Sequence, residues 1–444
     1  MCGILYSQDS TGFSDLEMLK RRGPEGFTEL ENDLGYFAHS MLNTIGESTP
    51  QPFQTKSGIL LYNGSTYNSG KANDTRWCNY ITNDTRWLGE KLDDNLDNTL
   101  NVVRELNGEY ALIYVTEKNI VFCVDHFEQR NLWFYYNQSS KDIAIASVPN
   151  VVTQKHNAVW RVQGNKIYVI NRDDFTLSIH TNKEWNLKQT TKDFDKVFEE
   201  FEKSVMCRYI PGVSVNLLSS GVDSGVINCA SHKIFKQIDC VSDPRFEDKE
   251  TLKQRMLLHK STLITCPTGD QPEKIEMFEK IYPNDDLWDL PCVDPLIIIV
   301  RKYMKSKSKK IMLFGQGGDE FYNDYHGQYG KFGRTNGRWP DALEMVWPWH
   351  SYKDRLSLNN MRPDFICGFF GVESRNPLLD VNVVQAWLNT TSDLKNSGYK
   401  SWMVKYMEQE KYPYTLRKIH WAHNLPEAPA TNWKRDQWSA KGIH

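Results

Sequence analysis

Three stretches of the chain carry residue types that could do chemistry. The first is Asn216-Leu217-Leu218-Ser219-Ser220-Gly221-Val222-Asp223-Ser224-Gly225. Val213 to Leu218 is apolar and β-favouring and reads as a buried strand. From Ser224 to Phe235 apolar residues return at helical spacing, at Val226, Ile227, Ala230 and Ile234. The small residues between therefore make a tight turn from strand into helix. There the free N–H groups and the positive end of the helix dipole face outward, which suits a phosphate. Small side chains let the backbone approach an anion, and Asp223 can hold the Mg²⁺ that such an anion brings. Taken alone, S-x-G-x-D-S is as well explained by an ordinary strand–helix turn. The second stretch is Ile311-Met312-Leu313-Phe314-Gly315-Gln316-Gly317-Gly318-Asp319-Glu320-Phe321, another apolar strand that ends in glycines followed by acids. In a parallel sheet both loops would lie at the carboxyl ends of strands, the usual ligand edge, where Asp223 and Asp319 could share Mg²⁺ and a triphosphate. The third is Cys2. Removal of Met1 would leave it with a thiol and a free α-amine. That amine titrates near ~8 and can serve as base for its own side chain. Cys2 alone does not decide between a nucleophile and a buried, inert cysteine.

The elements that must position these groups fall into two styles. Up to about residue 180 the chain is β-rich. Gly35 to His39, Gly58 to Tyr62, Tyr110 to Val115, Asn119 to Val124 and Leu132 to Tyr136 read as strands, and Asp15 to Arg22 and Leu96 to Leu106 as helices. Near-continuous apolar strands with few helices between them suggest two stacked sheets. Thr181 to Thr191 is polar and aperiodic and reads as a linker. Beyond it, Phe194, Val197, Phe198, Phe201, Val205 and Met206 mark a helix leading into the first loop. Asp239 to Ser242 reads as a second strand, and Leu252 to Leu258, Lys274 to Ile281 and Leu296 to Met304 as helices. The pentad Asn-Asp-Thr-Arg-Trp occurs at Asn73 and again at Asn83, too short and too few for a repeat architecture.

Bulk properties bound the rest. A chain of 444 residues should make two or three domains with proper cores. A net charge of −3 gives no sign of broad nucleic-acid or membrane binding, and no apolar run approaches a membrane span. The N-terminus lacks the basic and apolar regions of a signal peptide. Nine cysteines without a C-x-x-C pair fit reduced thiols and a cytoplasmic protein.

Motif order adds a resemblance. Met1-Cys2-Gly3-Ile4, Arg22-Gly23-Pro24-Glu25, Asn63-Gly64-Ser65-Thr66-Tyr67-Asn68, Gly108-Glu109-Tyr110-Ala111 and Asp125-His126 resemble, in that order, the glutaminase domain of class II glutamine amidotransferases. The resemblance implies an Ntn-hydrolase αββα sandwich over residues 2–182. It implies that Cys2 attacks the glutamine amide, that Asn63 and the Gly64 N–H form an oxyanion hole, and that Asp84 holds the substrate ammonium, with Asn63, Gly64 and Ser65 lining the glutamine. Two positions depart from the pattern. Met41 stands where the family has an arginine that clamps the substrate carboxylate, so either Arg22, Arg76 or Arg86 substitutes or glutamine binds poorly and a synthetase fed by free ammonia stays open. Ser65 stands where a glutamate is common.

The downstream half resembles the synthetase domain of the asparagine synthetase B family. It matches in both glycine loops, in Gly371-Val372-Glu373-Ser374-Arg375-Asn376-Pro377-Leu378-Leu379-Asp380, and in Trp433-Lys434-Arg435-Asp436-Gln437-Trp438-Ser439. That implies a doubly wound, Rossmann-like PP-loop domain over residues 192–444. Its substrates would be ATP, Mg²⁺ and aspartate, and its products asparagine, AMP and pyrophosphate. Leu217, Val241, Phe314, Gly315 and Gln316 would line ATP, and Ser219, Gly221, Asp223 and Ser224 would hold its pyrophosphate. Asp223 and Asp319 would bind the metal, and Lys400 would stabilise the α-phosphate. Gln316 replaces a family glutamate, and an arginine expected before Pro295 has no counterpart in Asp289-Leu290-Pro291-Cys292. These departures keep open another carboxylate acceptor, as in relatives that close a β-lactam, and a regulatory protein that has left catalysis. The expected partners are small molecules, not nucleic acid or membrane, and a homodimer stays open.

Overall fold

The computed structural model describes residues 1–10, 13, 16–44, 46, 48–67, 84–149, 151, 158–265, 293–324, 335 and 337–416. The expected helix from Lys274 to Ile281, both Asn-Asp-Thr-Arg pentad starts with Arg76, the Asp289 to Cys292 stretch and the Trp433 to Ser439 motif lie outside those residues.

The strands of the upstream half are β1 (Gly3–Ser7), β2 (Gly26–Asn32), β3 (Gly35–Met41), β4 (Phe53–Gln54), β5 (Gly58–Thr66), β6 (Gly108–Thr116), β7 (Asn119–Val124), β8 (Trp133–Tyr136), β9 (Ile143–Ala146), β10 (Ala158–Arg161), β11 (Lys166–Asn171) and β12 (Leu177–Thr181). They form two six-stranded antiparallel sheets, ordered β10-β8-β9-β1-β3-β2 and β12-β11-β7-β6-β5-β4. Alternation explains why β1 is buried throughout. Ile4 and Tyr6 face inward, into a core shared with Ile59 and Leu61 of β5 and Ile113 of β6. Leu5 faces the other way, into a second core. Both faces of this sheet are thus covered.

Among the described residues, the α-helices of six or more residues are α1 (Glu17–Arg22), α2 (Asp84–Lys91), α3 (Leu96–Arg104), α4 (Asp195–Arg208), α5 (Val222–Phe235), α6 (Lys249–Leu258), α7 (Val293–Ile299), α8 (Leu356–Phe369), α9 (Val381–Leu388) and α10 (Ser401–Gln409). Leu88, Leu100 and Val103 of α2 and α3 cover the second sheet through Leu60, Tyr62 and Leu112. On the first sheet, Leu5, Tyr36, Ala38 and Trp133 meet Leu19 of α1 and also Ile297, Met361 and Phe365 of α7 and α8. The outer helical layer on that side therefore comes largely from the downstream half, where the resemblance placed a self-contained sandwich. The expected helix over Leu296 to Met304 is also modified: α7 ends at Ile299, and Val300–Met304 continues with π-helical bonding.

Downstream, β13 (Ser214–Leu217), β14 (Asp239–Ser242), β15 (Lys260–Leu263), β16 (Ile311–Leu313) and β17 (Glu373–Arg375) form one sheet in the order β15-β14-β13-β16-β17, parallel at every pairing. The chain winds outward from β13 to β15, returns to the other side of β13 at β16, and winds outward again. The reversal between β13 and β16 is a topological switch point, where open α/β sheets form a crevice at their carboxyl edge.

Two candidate active sites

The switch-point crevice holds both glycine loops. Helix α5 begins at Gly221 with no side-chain cap, so its first N–H groups stay available to a ligand. Arg255 of α6 braces the loop from behind. Its Nη1 donates to the carbonyls of Ser219 and, at 2.9 Å, of Gly221, and its Nε donates to Pro413 at 2.9 Å. A Cβ at Gly225 would come within 2.4 Å of that guanidinium, so the brace requires glycine there. Within the loop the Ser220 N–H donates to Glu247, and the Gly221 N–H donates to Ser219 Oγ at 3.2 Å. Ser219 and Ser224 bond through their hydroxyls at 2.5 Å, and Glu247 accepts from Ser220 Oγ at 2.6 Å.

The acids converge. Lys400 Nζ lies 2.6 and 2.7 Å from the two oxygens of Asp223 and 2.6 Å from Asp319 Oδ1. A Cβ at Gly318 would fall 2.2 Å from Asp223 Oδ1, and one at Gly315 would fall 2.8 Å from Asp223 Cβ. Those glycines are what let the second loop close over the first. Burial raises the Asp223 carboxyl to about 6, with Lys400 opposing that and Asp319 adding to it. Lys400 is 4% exposed, and its ammonium is held charged by the two acids despite burial. The donor set suits Mg²⁺, which takes one or two carboxylates and completes its shell with water and phosphate oxygens. Among the described residues no group of three or more His, Cys, Asp or Glu could hold a metal unaided. Val241 and Phe314 are buried beside the crevice on β14 and just past β16, while Leu217, Gly315 and Gln316 are half-buried.

The thiol site lies at the junction of the two halves. Cys2 is half-buried, and its Sγ accepts from the Leu42 N–H at 3.4 Å. Burial pushes the thiol up, against the pull of the neighbouring α-amine. By strand alternation Cys2 extends the inward stripe of Ile4 and Tyr6, and Asn63 extends that of Ile59 and Leu61. Both stripes run out at the same end, because the Met1 amine is 3.5 Å from Val372 O and Ser65 Oγ is 3.0 Å from Glu373 Oε1. Asn63 is fully buried, yet neither its Oδ1 nor its Nδ2 has a partner among the described residues. A buried amide left unpaired costs roughly 1–3 kcal/mol. Gly64 has φ +147°, and a Cβ there would meet Glu109 O at 2.0 Å. Asp84, at the start of α2, accepts from Thr66 N at 2.8 Å, and burial raises it to about 6.

Of the substitute cations for Met41, Arg22 is committed elsewhere. Its Nη2 lies 3.2 Å from both Asp364 oxygens and its Nε donates to Cys2 O at 3.1 Å. Arg86 is exposed on α2. Cys207 is in a disulfide, so the expectation of reduced thiols fails at that residue, whereas Cys2, Cys123, Cys229, Cys240 and Cys367 are free.

Sequence reasoning missed the charged seam between the halves. Arg208 bonds Glu109 and Asp380 at 2.8 Å each, Arg375 bonds Glu373 at 2.7 Å, and Arg130 donates to Ser374 O at 2.9 Å. Each of these is nearly or fully buried. No local pattern announces such pairs; the only signal was an unusual density of acids and arginines in two short motifs.

No protein-family model matches the chain. No curated protein matches it in sequence. Among solved structures, it is similar to glutamine phosphoribosylpyrophosphate amidotransferase from B. subtilis complexed with ADP and GMP at 14% identity and a TM-score of 0.32, covering 54% of this chain and 65% of that one. It is similar to a structure described as the allosteric regulatory enzyme of purine biosynthesis at 13% identity and a TM-score of 0.32, covering 59% of this chain and 80% of that one. Likeness this slight carries no weight for function. Among the described residues no helix is long and apolar enough to cross a membrane.

Proposed function

We propose that the chain is a glutamine-dependent, AMP-forming amide synthetase, with an Ntn-type glutaminase over residues 2–182 and a PP-loop synthetase over residues 192–444. The observation that carries the reading is the meeting of Asp223 and Asp319 on Lys400 at the switch point of the parallel sheet.

In this reading the Cys2 thiolate attacks the glutamine side-chain carbonyl, and the charge on oxygen is met by Asn63 Nδ2 and the Gly64 N–H. Ammonia leaves once protonated, and water releases glutamate from the thioester. At the crevice, a carboxylate attacks the α-phosphorus of ATP and pyrophosphate departs toward the uncapped first turn of α5, from Val222 to Ser224. Ammonia then takes the acyl carbon and AMP leaves. Mg²⁺ held by Asp223 and Asp319 would neutralise the departing phosphates, and Lys400 would meet charge at the α-phosphate. Aspartate is the acceptor the resemblance favours, with asparagine as product. Gln316 favours a different carboxylate, because it stands at the loop in place of an acid and cannot take a proton.

The test is glutamate and AMP release by wild type and Cys2→Ala, with and without ATP and a panel of carboxylic acids. Glutaminase activity lost in Cys2→Ala, together with pyrophosphate that depends on one acid, supports the reading. No pyrophosphate with any acid overturns the synthetase half.

A further inference from the structure

If Cys2 and Asn63 work on glutamine, something must hold the amino-acid end of that substrate. Asn63 and Ser65 share one face of β5, about 6.6 Å apart along the strand. The α-nitrogen of an extended glutamine sits roughly 5 Å from its amide carbon, so an amide held at Asn63 places its ammonium near Ser65. A glutamate would be expected there, and serine is too short to replace it. Ser65 instead donates at 3.0 Å to Glu373 Oε1, a carboxylate from β17 of the downstream half. Arg375 Nε also bonds Oε1 at 2.7 Å, and Arg130 Nη2 lies 3.8 Å from it. No described residue bonds Oε2, although Glu373 is only 4% exposed. Its charge is felt across the thiol site: it opposes ionisation of Asp84 and Cys2 and favours protonation of the α-amine. Burial pushes the Glu373 carboxyl up, but Arg375 and Arg130 outweigh that and hold it at about 2.

We propose that Glu373 is a substrate-recognition residue of the thiol site, contributed by the downstream half, whose Oε2, bonded by no described residue, takes the α-ammonium of an amino-acid amide together with Asp84. The inference rests on the glutaminase reading above. It makes the thiol site complete only when β17 is docked against β5. A small amide donor without an α-ammonium gains nothing from Glu373.

The test compares glutamine with glutaramate, the same amide without the amino group, on the full chain and on Glu373→Gln and Glu373→Asp. Loss of one charge-assisted bond should raise KM for glutamine by about 10- to 100-fold with kcat little changed, and leave glutaramate hydrolysis alone. Glu373→Asp keeps the charge and should recover part of the loss. Equal losses on both substrates would mean Glu373 only supports the fold, and an unchanged KM in either variant overturns the inference. If Glu373→Gln does not fold, Glu373→Asp alone decides, since a shortened carboxylate with wild-type KM is incompatible with direct contact. Failure of the parent reading looks different: wild type would hydrolyse neither amide and a diazoketone analogue of glutamine would not label Cys2, and the inference falls with it.

Discussion

Asp223 and Asp319 each place a carboxylate oxygen 2.6 Å from the same nitrogen, Lys400 Nζ. Two acids in a crevice repel unless a cation stands between them, and the lysine fills that role in the protein alone. Lys400 itself sits at φ 45°, ψ 48°, a left-handed conformation unusual for a lysine, just before α10.

Removal of that ammonium should expose the acids to competition. Lys400→Ala is expected to lower the melting temperature without metal, because two half-buried carboxylates lose their counter-ion. Added Mg²⁺ should restore more of it than it adds to wild type, where the lysine competes for the same oxygens. Asp223→Asn and Asp319→Asn should each weaken stabilisation by Mg-ATP. Thermal denaturation with Mg²⁺, ATP and both together reads all three, and an Mg²⁺ response in Lys400→Ala no larger than in wild type would contradict the shared site.

Asn63 makes the opposite kind of prediction. No described residue bonds its buried side-chain amide. As the oxyanion donor proposed above, Asn63 should on replacement by alanine lose about 10²- to 10³-fold in glutamine hydrolysis, the usual effect of losing one such donor, with a much smaller loss of stability. A large drop in both would recast Asn63 as a structural residue.

Asp84 sets a pH dependence. Burial raises its carboxyl to about 6, with the Thr66 N–H opposing. Between its ordinary value and about 6 the folded protein binds more protons there than the unfolded chain, so its contribution to stability falls as pH rises through that window and is flat above it. An ammonium needs the ionised form. KM for glutamine should thus fall as pH rises from 5 to about 6 and level off beyond, and Asp84→Asn should remove the break. A KM profile identical in the variant would disconnect Asp84 from substrate.

Much of this was legible in the sequence where chemistry and local structure coincide. Asp223 and Asp319 each follow an apolar run that breaks into small residues, and the sheet did bring both loops to one edge. Strands β3, β5, β6, β7 and β8 are nearly continuous apolar segments and were readable for that reason. Strands β10 and β12 were not, since their faces are half-exposed and mixed. Arg255 read only as part of a helix, because nothing local tells an arginine that brackets a loop from one that meets water. Glu373 and Arg375 find partners on β5 and at the end of α4. Pairing over such sequence distance leaves no periodic trace.

The seam between the halves should matter to stability far more than surface ion pairs do. Arg208 joins Glu109 of β6 to Asp380, which caps α9 by accepting from Asn382 N at 2.9 Å. Glu109 also accepts from Asn376 N at 3.1 Å and from Tyr67 Oη at 2.5 Å. Desolvating these groups is costly, so the pairs need not stabilise relative to an apolar seam of the same shape. Breaking one is different. Arg208→Ala would strand two buried carboxylates and is expected to cost about 3–5 kcal/mol, whereas breaking the exposed Lys196–Glu199 pair should cost little, since solvent screens it. Glu109→Ala with Arg208→Ala should cost less than the two changes added separately, since each single variant already leaves a partner unpaired. Denaturant titration measures all four variants. Strict additivity would mean that Arg208 and Glu109 are not a coupled pair.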